Sequence, residues 1–342
     1  MRMSAQAWFN RIWYGGGAPP WWLMPWSQAY RGIAATRRFL YLRGFVSSVR
    51  LRCPVIVVGN LSVGGTGKTP LVIWLVARLR ALGYVPGIVT RGFGGSAKAA
   101  QLIDAGQDPA MAGDEPLVLA RRSGARVAVG RDRPAAARLL VDAGCDLIVS
   151  DDGLQHYKLA RDCEIVVVDG ARQLGNGWPL PAGPLREPPA RLAEVDAIVV
   201  NGGRIAQPGA VSMHLAAQDA IALGGGGTRP LSTFAGTAVH AVAGIGNPQR
   251  FFDMLRAQGI EVIPHALDDH ARITGADISF ADLKPVLMTE KDAVKCKKLA
   301  DDRHWYIPVD VVFDEADATK LMEIVTMKIN DRKPKADEVE HG

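Results

Sequence analysis

Short, uninterrupted apolar runs recur through most of the chain, each followed by a longer stretch with apolar residues at helical spacing. "PVIVVGN" at 54–60 is a strand, and "GKTPLVIWLVARLRALG" at 67–83 a helix with Leu71, Leu75, Leu79 and Leu82 along one stripe. The alternation continues through "YVPGIVTRG", helical "DEPLVLARRSG", "RVAVG", helical "RPAAARLLVDAG" and "CDLIVSDDG", and adds the strands "CEIVVVDG" and "VDAIVVNGG". Apolar runs without polar alternation are strands covered on both faces. The pattern therefore predicts an α/β fold with a mostly parallel sheet flanked by helices, whose ligands bind beyond the carboxyl ends of the strands.

A Gly-rich stretch near "LGGGGTRP" interrupts this order, and a second α/β set follows: "AVHAVAGIG", helical "NPQRFFDMLRAQG", "EVIPHAL", "PVLMT", "EKDAVKCKKLA" and "WYIPVDVVF". The expected division is a helical segment at 1–50, a first α/β domain at 51–230, a smaller one at 231–330 and a polar tail at 331–342. The Pro/Gly loop "RQLGNGWPLPAGPLREPPARL" at 172–192 is long for a compact domain, which marks it as functional.

Charge changes the picture at the N-terminus. The net charge is +5 over 342 residues, but no Asp or Glu precedes Asp104, and most of the eight tryptophans lie before it. Tyr30, Ile33, Phe39, Leu40 and Leu42 are interleaved with Arg31, Arg37, Arg38 and Arg43. Two readings stand: a helix lying in a membrane interface, or one packed on its own domain with a solvated arginine face. No run of eighteen apolar residues and no secretory h-region appears. The four cysteines form no C-x-x-C pair and read as buried thiols of a reducing compartment.

The chemistry starts at "GNLSVGGTGKTP". The strict G-x-x-x-x-G-K-[ST] pattern fails because Ser62 stands at its first position. The context is still that of a phosphate loop, strand to glycine turn to helix. Ser62, Val63, Gly64, Gly65, Thr66 and Gly67 line the turn, Lys68 reaches the β and γ phosphates of ATP, and the Thr69 hydroxyl is a Mg²⁺ ligand. "LIVSDDGLQH" ends a strand on Asp151 and Asp152, adjacent carboxylates whose repulsion a divalent cation relieves. Asp114 and Glu115 open a helix in "GDEP". They serve either its dipole or as a base with a metal-associated acid, and spacing does not separate these readings. His265, Asp268, Asp269 and His270 crowd one loop, where a histidine–carboxylate pair for proton transfer is favoured over zinc. "TEKDAVK" shares Lys and Asp with the guanine-reading N-K-x-D motif, but out of register and without the asparagine, so it carries no guanine specificity.

In order, "GNLSVGGTGKTP", "TRGFGG", "GDEP", "SDDGLQH", "WPLPAGPLRE", "AGIGNPQRFF", "DDHARIT" and "MTEKDAVKC" resemble the motifs of the tetraacyldisaccharide 4′-kinase (lipid A 4′-kinase) family of Gram-negative bacteria, over residues 54 to 298. The resemblance implies a P-loop kinase that transfers phosphate from ATP to the 4′-hydroxyl of a tetraacyl glucosamine disaccharide 1-phosphate, giving lipid IVA. It implies a peripheral enzyme on the cytoplasmic face of the inner membrane, whose anionic surface the N-terminal segment contacts. It assigns the base to Asp114, with His270 paired to it. Ala271-Arg272-Ile273 after Asp269-His270 departs from the second histidine or aromatic common in the family. Glu115, Asp151, Asp152 and Thr69 are the implied metal ligands, and Arg91, Gln155, His156 and Arg186 the substrate-side residues. Two other readings share features. A P-loop switch or metallochaperone has the same loop and strand end. Nucleic-acid binding uses tryptophan stacking, but no recognisable module accompanies it, so no nucleic-acid partner is expected.

Overall fold

The computed structural model describes residues 5–95, 99–203, 205, 207–269, 271–296, 299 and 301–332. Helices α1 (Ala5–Tyr14) and α2 (Met24–Leu42) precede the sheets. The chain then builds β1 (Val55–Gly59), α3 (Lys68–Ala81), β2 (Pro86–Thr90), β3 (Gln101–Ile103), the single turn α4 (Pro109–Ala112), α5 (Asp114–Ser123), β4 (Arg126–Val129), α6 (Arg133–Asp142), β5 (Leu147–Asp151), β6 (Cys163–Asp169), β7 (Ala197–Asn201) and β8 (Val211–Ala217). A second series follows: β9 (Ala220–Ala222), β10 (Thr228–Arg229), β11 (Ala238–Ala243), α7 (Pro248–Ala257), β12 (Glu261–Ala266), the short α8 (Gly275–Ile278), β13 (Val286–Thr289), α9 (Glu290–Cys296) and β14 (His304–Ile307). The described chain closes with β15 (Val309–Phe313) and α10 (Glu315–Asn330).

The larger sheet has the order β15-β8-β7-β6-β1-β5-β2-β4-β3. Its strands from β8 through β4 run parallel, and β15 and β3 close the edges antiparallel. β1 sits between β5 and β6, and its alternating side chains feed two cores. Ile56 and Val58 meet Leu71, Leu75 and Leu79 of α3 on one face, while Val55 and Val57 meet Ala136 and Leu140 of α6 on the other. The expected stripe on α3 ends one residue early: Leu82 is exposed because it caps the helix rather than belonging to it.

The smaller sheet runs β10-β9-β14-β13-β11-β12, parallel from β14 to β12. Its limits differ from the expected 231–330. β9 and β10 already belong to it, whereas β15 and α10 return to the larger sheet. The physical reason is Pro308, which lies between Ile307 and Val309 and splits "WYIPVDVVF" into two strands. Ile307 pairs with Thr289 of the small sheet, and Val309 pairs with Ala217 of the large one. The second lobe is therefore an insertion between β8 and β15. α10, absent from the sequence reading, buries Leu321, Val325 and Ile329 in the core shared with α3. Residues 333–342 of the expected tail lie outside the described residues. All four cysteines are free and buried, and burial pushes the Cys53 thiol up to about 11 and that of Cys296 to about 12.

Candidate active site

Between β1 and α3 the chain must turn sharply before the helix starts, and Gly67 makes this possible. Its φ is 96°, and a Cβ there would lie 2.4 Å from Asn201 Nδ2. Asn201, fully buried at the end of β7, donates through that nitrogen to Thr66 O at 2.9 Å. Arg172 Nη2 donates to Gly65 O at 2.7 Å and Asn60 Nδ2 to Gly64 O at 3.3 Å. These donors hold the loop's carbonyl oxygens, which would repel a phosphate, on partners of their own. The positive start of α3 then faces the cleft, the polarity an anion-binding turn requires.

The neighbouring acids at the end of β5 have opposite environments. Asp151 is buried and its Oδ1 has no hydrogen-bond partner. Burial, helped by the Glu115 carboxylate and opposed by Lys68, pushes its carboxyl up to about 7. Asp152 adopts a left-handed φ of 48°. Arg186 Nη1 lies 3.1 and 3.0 Å from its two oxygens, and Lys68 Nζ lies 3.4 Å from Oδ1. Burial raises the Asp152 pKa, but Lys68, Arg186 and Arg133 outweigh it and hold the carboxyl well below the usual range. Arg133, itself buried, donates to Ser150 Oγ at 2.7 Å and to Asp152 O at 2.9 Å, which fixes the strand end.

Across the cleft, α5 of the first lobe and α9 of the second are joined by ion pairs. Asp114 is 5% exposed; its Oδ1 accepts the Glu115 N–H at 2.9 Å, and Lys295 Nζ lies 3.3 Å from Oδ2. Lys291 Nζ is 3.0 Å from Glu115 Oε1 and 3.0 Å from Asp269 Oδ1. Further along α5, Arg122 pairs with Glu290 at 2.6 Å and with Asp310. The opening carboxylates of α5 thus lie in its first turn, as a dipole role requires, and also at the lobe interface. A second contact closes over the phosphate loop. Gly246 packs on Gly64 and Gly65, Arg172 Nη1 donates to Gly246 O at 3.3 Å, and Arg250 of α7 donates to Asn201 O at 2.8 Å.

These elements enclose a cleft of about 1070 Å³. Val63 to Thr66, Lys68, Thr69, Glu115, Asp152, Arg91, Gln155, His156 and Arg186 line it, whereas Ser62, Gly67, Asp114 and Asp151 stand behind its surface. His270 lies outside the described residues; its neighbour Asp269 lines the cleft. Burial, followed by the charges of Arg133, Arg37 and Arg161, lowers the His156 pKa to about 4, so this imidazole is neutral. Among the described residues no group of three or more His, Cys, Asp or Glu side chains is poised as a metal cage. The zinc alternative at His265 therefore gains nothing: that ring instead meets His240 at 2.9 Å. The donor set around Asp151 suits a hard oxygen-seeking cation that completes its shell with water and phosphate. It comprises an unpartnered buried carboxylate oxygen, the nearby Glu115 and the Thr69 hydroxyl.

Tyr30 and Arg37 of α2 complete the cleft wall. The N-terminal helices are anchored on the long Pro/Gly loop: Trp13 Nε1 donates to Pro181 O at 3.0 Å and Ser27 Oγ to Pro179 O at 2.9 Å. Their opposite side leaves Trp21 79% and Trp26 68% exposed, with Ile33, Phe39 and Phe45 also open to solvent. The segment is thus packed on its own domain along one side and open to solvent along another. Among the described residues no helix is long and apolar enough to cross a membrane.

The sequence reading missed Arg133, Arg172, Asn201, Arg250, Lys291 and Lys295. The lysines lie in "TEKDAVK", where no local spacing reports their partners Glu115 and Asp114 on α5.

The family model LpxK, described as tetraacyldisaccharide-1-P 4′-kinase, matches residues 19–329. The tetraacyldisaccharide 4′-kinase of Nitrosococcus oceani is 47% identical over 317 residues, covering 92% of this chain and 93% of its own. That of Stenotrophomonas maltophilia is 50% identical over 306 residues, covering 87% and 90%. Among solved structures, LpxK from Aquifex aeolicus, described as an "apo" form in complex with ATP, matches with a TM-score of 0.73 at 26% identity, over 89% of this chain and 98% of that one.

Proposed function

This chain belongs to the tetraacyldisaccharide 4′-kinase family, phosphotransferases that act at the 4′ position in lipid A biosynthesis, and on that premise we propose the part each group plays. The donor is ATP, with its phosphates on the amides of residues 63–67 and on Lys68. The acceptor is a tetraacyl disaccharide 1-phosphate and the product lipid IVA. Asp114 takes the 4′-hydroxyl proton as that oxygen attacks the γ-phosphorus. The bond to the β,γ-bridging oxygen breaks, and ADP leaves. His270 orients the base. Thr69, Asp151 and Glu115 would hold Mg²⁺, which would supply neutralisation of charge on the phosphates. Asp152 acts as the anchor of Lys68 and Arg186 rather than as a ligand, which is supported by its two ion pairs.

Arg91, Gln155, His156 and Arg186 face the disaccharide. The N-terminal helices rest on the anionic cytoplasmic face of the inner membrane and keep the acyl chains in lipid while the sugar enters the cleft. Exposed tryptophans beside arginines support this role. The observation that carries the reading is the meeting of the phosphate loop, the acidic end of β5 at Asp152 and α2 of the tryptophan-bearing segment around one cleft. Incubation with ATP, Mg²⁺ and the tetraacyl disaccharide 1-phosphate, followed by mass spectrometry, tests it. One added phosphate is expected, and its absence refutes the assignment. Asp114→Ala is expected to abolish turnover while ATP still binds; near-normal turnover removes Asp114 as base.

A further inference from the structure

The "TEKDAVK" segment forms the end of β13 and most of α9, and its Asp292 is wholly buried. Asp292 Oδ2 accepts from Gly244 N at 2.9 Å and from Thr289 Oγ1 at 2.6 Å, which pins the start of α9 to the end of β11. With the helix so oriented, Lys291 and Lys295, one turn apart, share the face turned to α5. The two lysines differ in access. Lys295 reaches the buried Asp114, whereas Lys291 lines the cleft in company with Lys68 and Thr69, its side chain 15% exposed.

Charge balance gives this position a meaning. Glu115 and Asp269 both pair with Lys291, and Asp114 lies beside Glu115 at the start of α5, where, on the proposed function, a phosphoryl group must arrive with further negative charge. At short range in a partly dehydrated cleft such repulsion is large unless a cation faces it. Arg186 is committed to both oxygens of Asp152, and Lys68 stands at the phosphate-loop side. Lys291 is a cation that the second lobe presents to the cleft; Arg250, which also lines it, is bonded to Asn201 O.

We propose that Lys291 is a further catalytic residue. Closure of the second lobe brings its ammonium to the non-bridging oxygens of the transferring phosphoryl group, and Glu115 and Asp269 hold it there. The role parallels that of a finger residue in other phosphoryl-transfer enzymes, supplied here within one chain by a lysine. Lys291 stays protonated throughout: the acceptor O–P bond forms, the bridging O–P bond breaks, and the hydroxyl proton goes to Asp114. The inference rests on the proposed kinase reaction.

The test uses the full chain with ATP, Mg²⁺ and the tetraacyl disaccharide 1-phosphate, comparing wild type with Lys291→Met, Lys291→Gln and Lys291→Arg. The two neutral variants are expected to lose kcat by about 10²–10³-fold, with the KM for ATP and for acceptor each within about threefold of wild type, and Lys291→Arg to recover about tenfold of that loss. The ratio of rates with ATP and ATPγS should shrink in the neutral variants, since it reports a cation on the γ-phosphoryl oxygens, which a purely structural lysine does not touch. Thermal melting identifies a variant that fails to fold, and the other neutral variant then supplies the readout. A kcat within about threefold of wild type, a loss confined to KM, or an unchanged thio ratio overturns the proposal. Absence of product from wild type itself overturns the underlying kinase assignment as well, so the two failures are distinguishable.

Discussion

Gly246 offers a sharp test of lobe closure, because its replacement by alanine puts one methyl group between two backbones. Its φ lies outside the left-handed region, so alanine meets no torsional penalty there, and the effect is purely steric. The added Cβ would lie 2.5 Å from Gly65 N, 3.1 Å from Gly64 Cα and 3.2 Å from Gly64 C. None of these is the end of a flexible side chain. Restoring ordinary contact requires a retreat of roughly 0.9 Å by one lobe, and overpacking of this kind costs about 1–3 kcal/mol. The retreat also stretches the Arg172 bond to Gly246 O, already 3.3 Å long. That penalty falls on the closed arrangement, since among the described residues the first lobe's core takes only Val294 of α9 from the second and the clash lies away from it. A closed population reduced by this amount lowers kcat by about 5- to 150-fold, and a displacement near 1 Å between reacting groups is enough to do so. Steady-state kinetics on Gly246→Ala, with thermal melting as the folding control, checks the argument. A kcat within about twofold of wild type would refute the claim that this backbone contact governs closure.

Other outcomes follow from the same geometry. Asp151 titrates at about 7 in the fold against an ordinary 3.8, so between those pH values the folded chain holds a proton that the unfolded chain has released. Stability of the metal-free protein should fall as pH rises through that window, by up to about 1.4 kcal/mol per unit, and level off above it. Urea titrations of wild type and Asp151→Asn at several pH values measure this, the variant losing the slope. Mg²⁺ binding, which needs the ionised carboxylate, should strengthen through the same window, as isothermal titration would record. Asn201→Leu leaves Thr66 O without its buried donor, at a cost of about 1–3 kcal/mol, and should raise the KM for ATP roughly tenfold in initial-rate assays. The double change Trp21→Ser and Trp26→Ser should weaken sedimentation with anionic vesicles by about tenfold or more, while turnover of detergent-dispersed acceptor is retained.

The strands around β1 were legible because a parallel sheet covered on both faces leaves continuous apolar runs, as in "VIVVG" and "EIVVV". The residues lining the cleft were legible where one short segment carries both an element's end and polar side chains, as at Lys68-Thr69 and at Asp152, with Asp151 just behind the surface. Arg172 and Asn201 were not. They hold the carbonyls of Gly65 and Thr66, which lie 107 and 135 positions away in the chain, and no local pattern reports such a partnership. Lys291 likewise gains its meaning only from Glu115, 176 positions distant. The lobe boundary was misplaced because "WYIPVDVVF" is one apolar run by composition but two strands by hydrogen bonding, and Pro308 marks a change of sheet rather than a flaw in one strand. α10 escaped notice because Leu321, Val325 and Ile329 form a narrow stripe on a helix that adjoins a polar tail.

The insertion of the second lobe between β8 and β15 also sets an order of assembly during synthesis. Residues 218–308 leave the ribosome before the strand and helix that finish the first lobe. Until then β8 presents an unpaired edge, and the core lacks Leu321, Val325 and Ile329. The nascent chain thus carries an incomplete first lobe while the second forms, and β15 and α10 then complete the first. A chain stopped at Pro308 has every phosphate-loop residue, yet exposes a strand edge suited to pairing with a second copy.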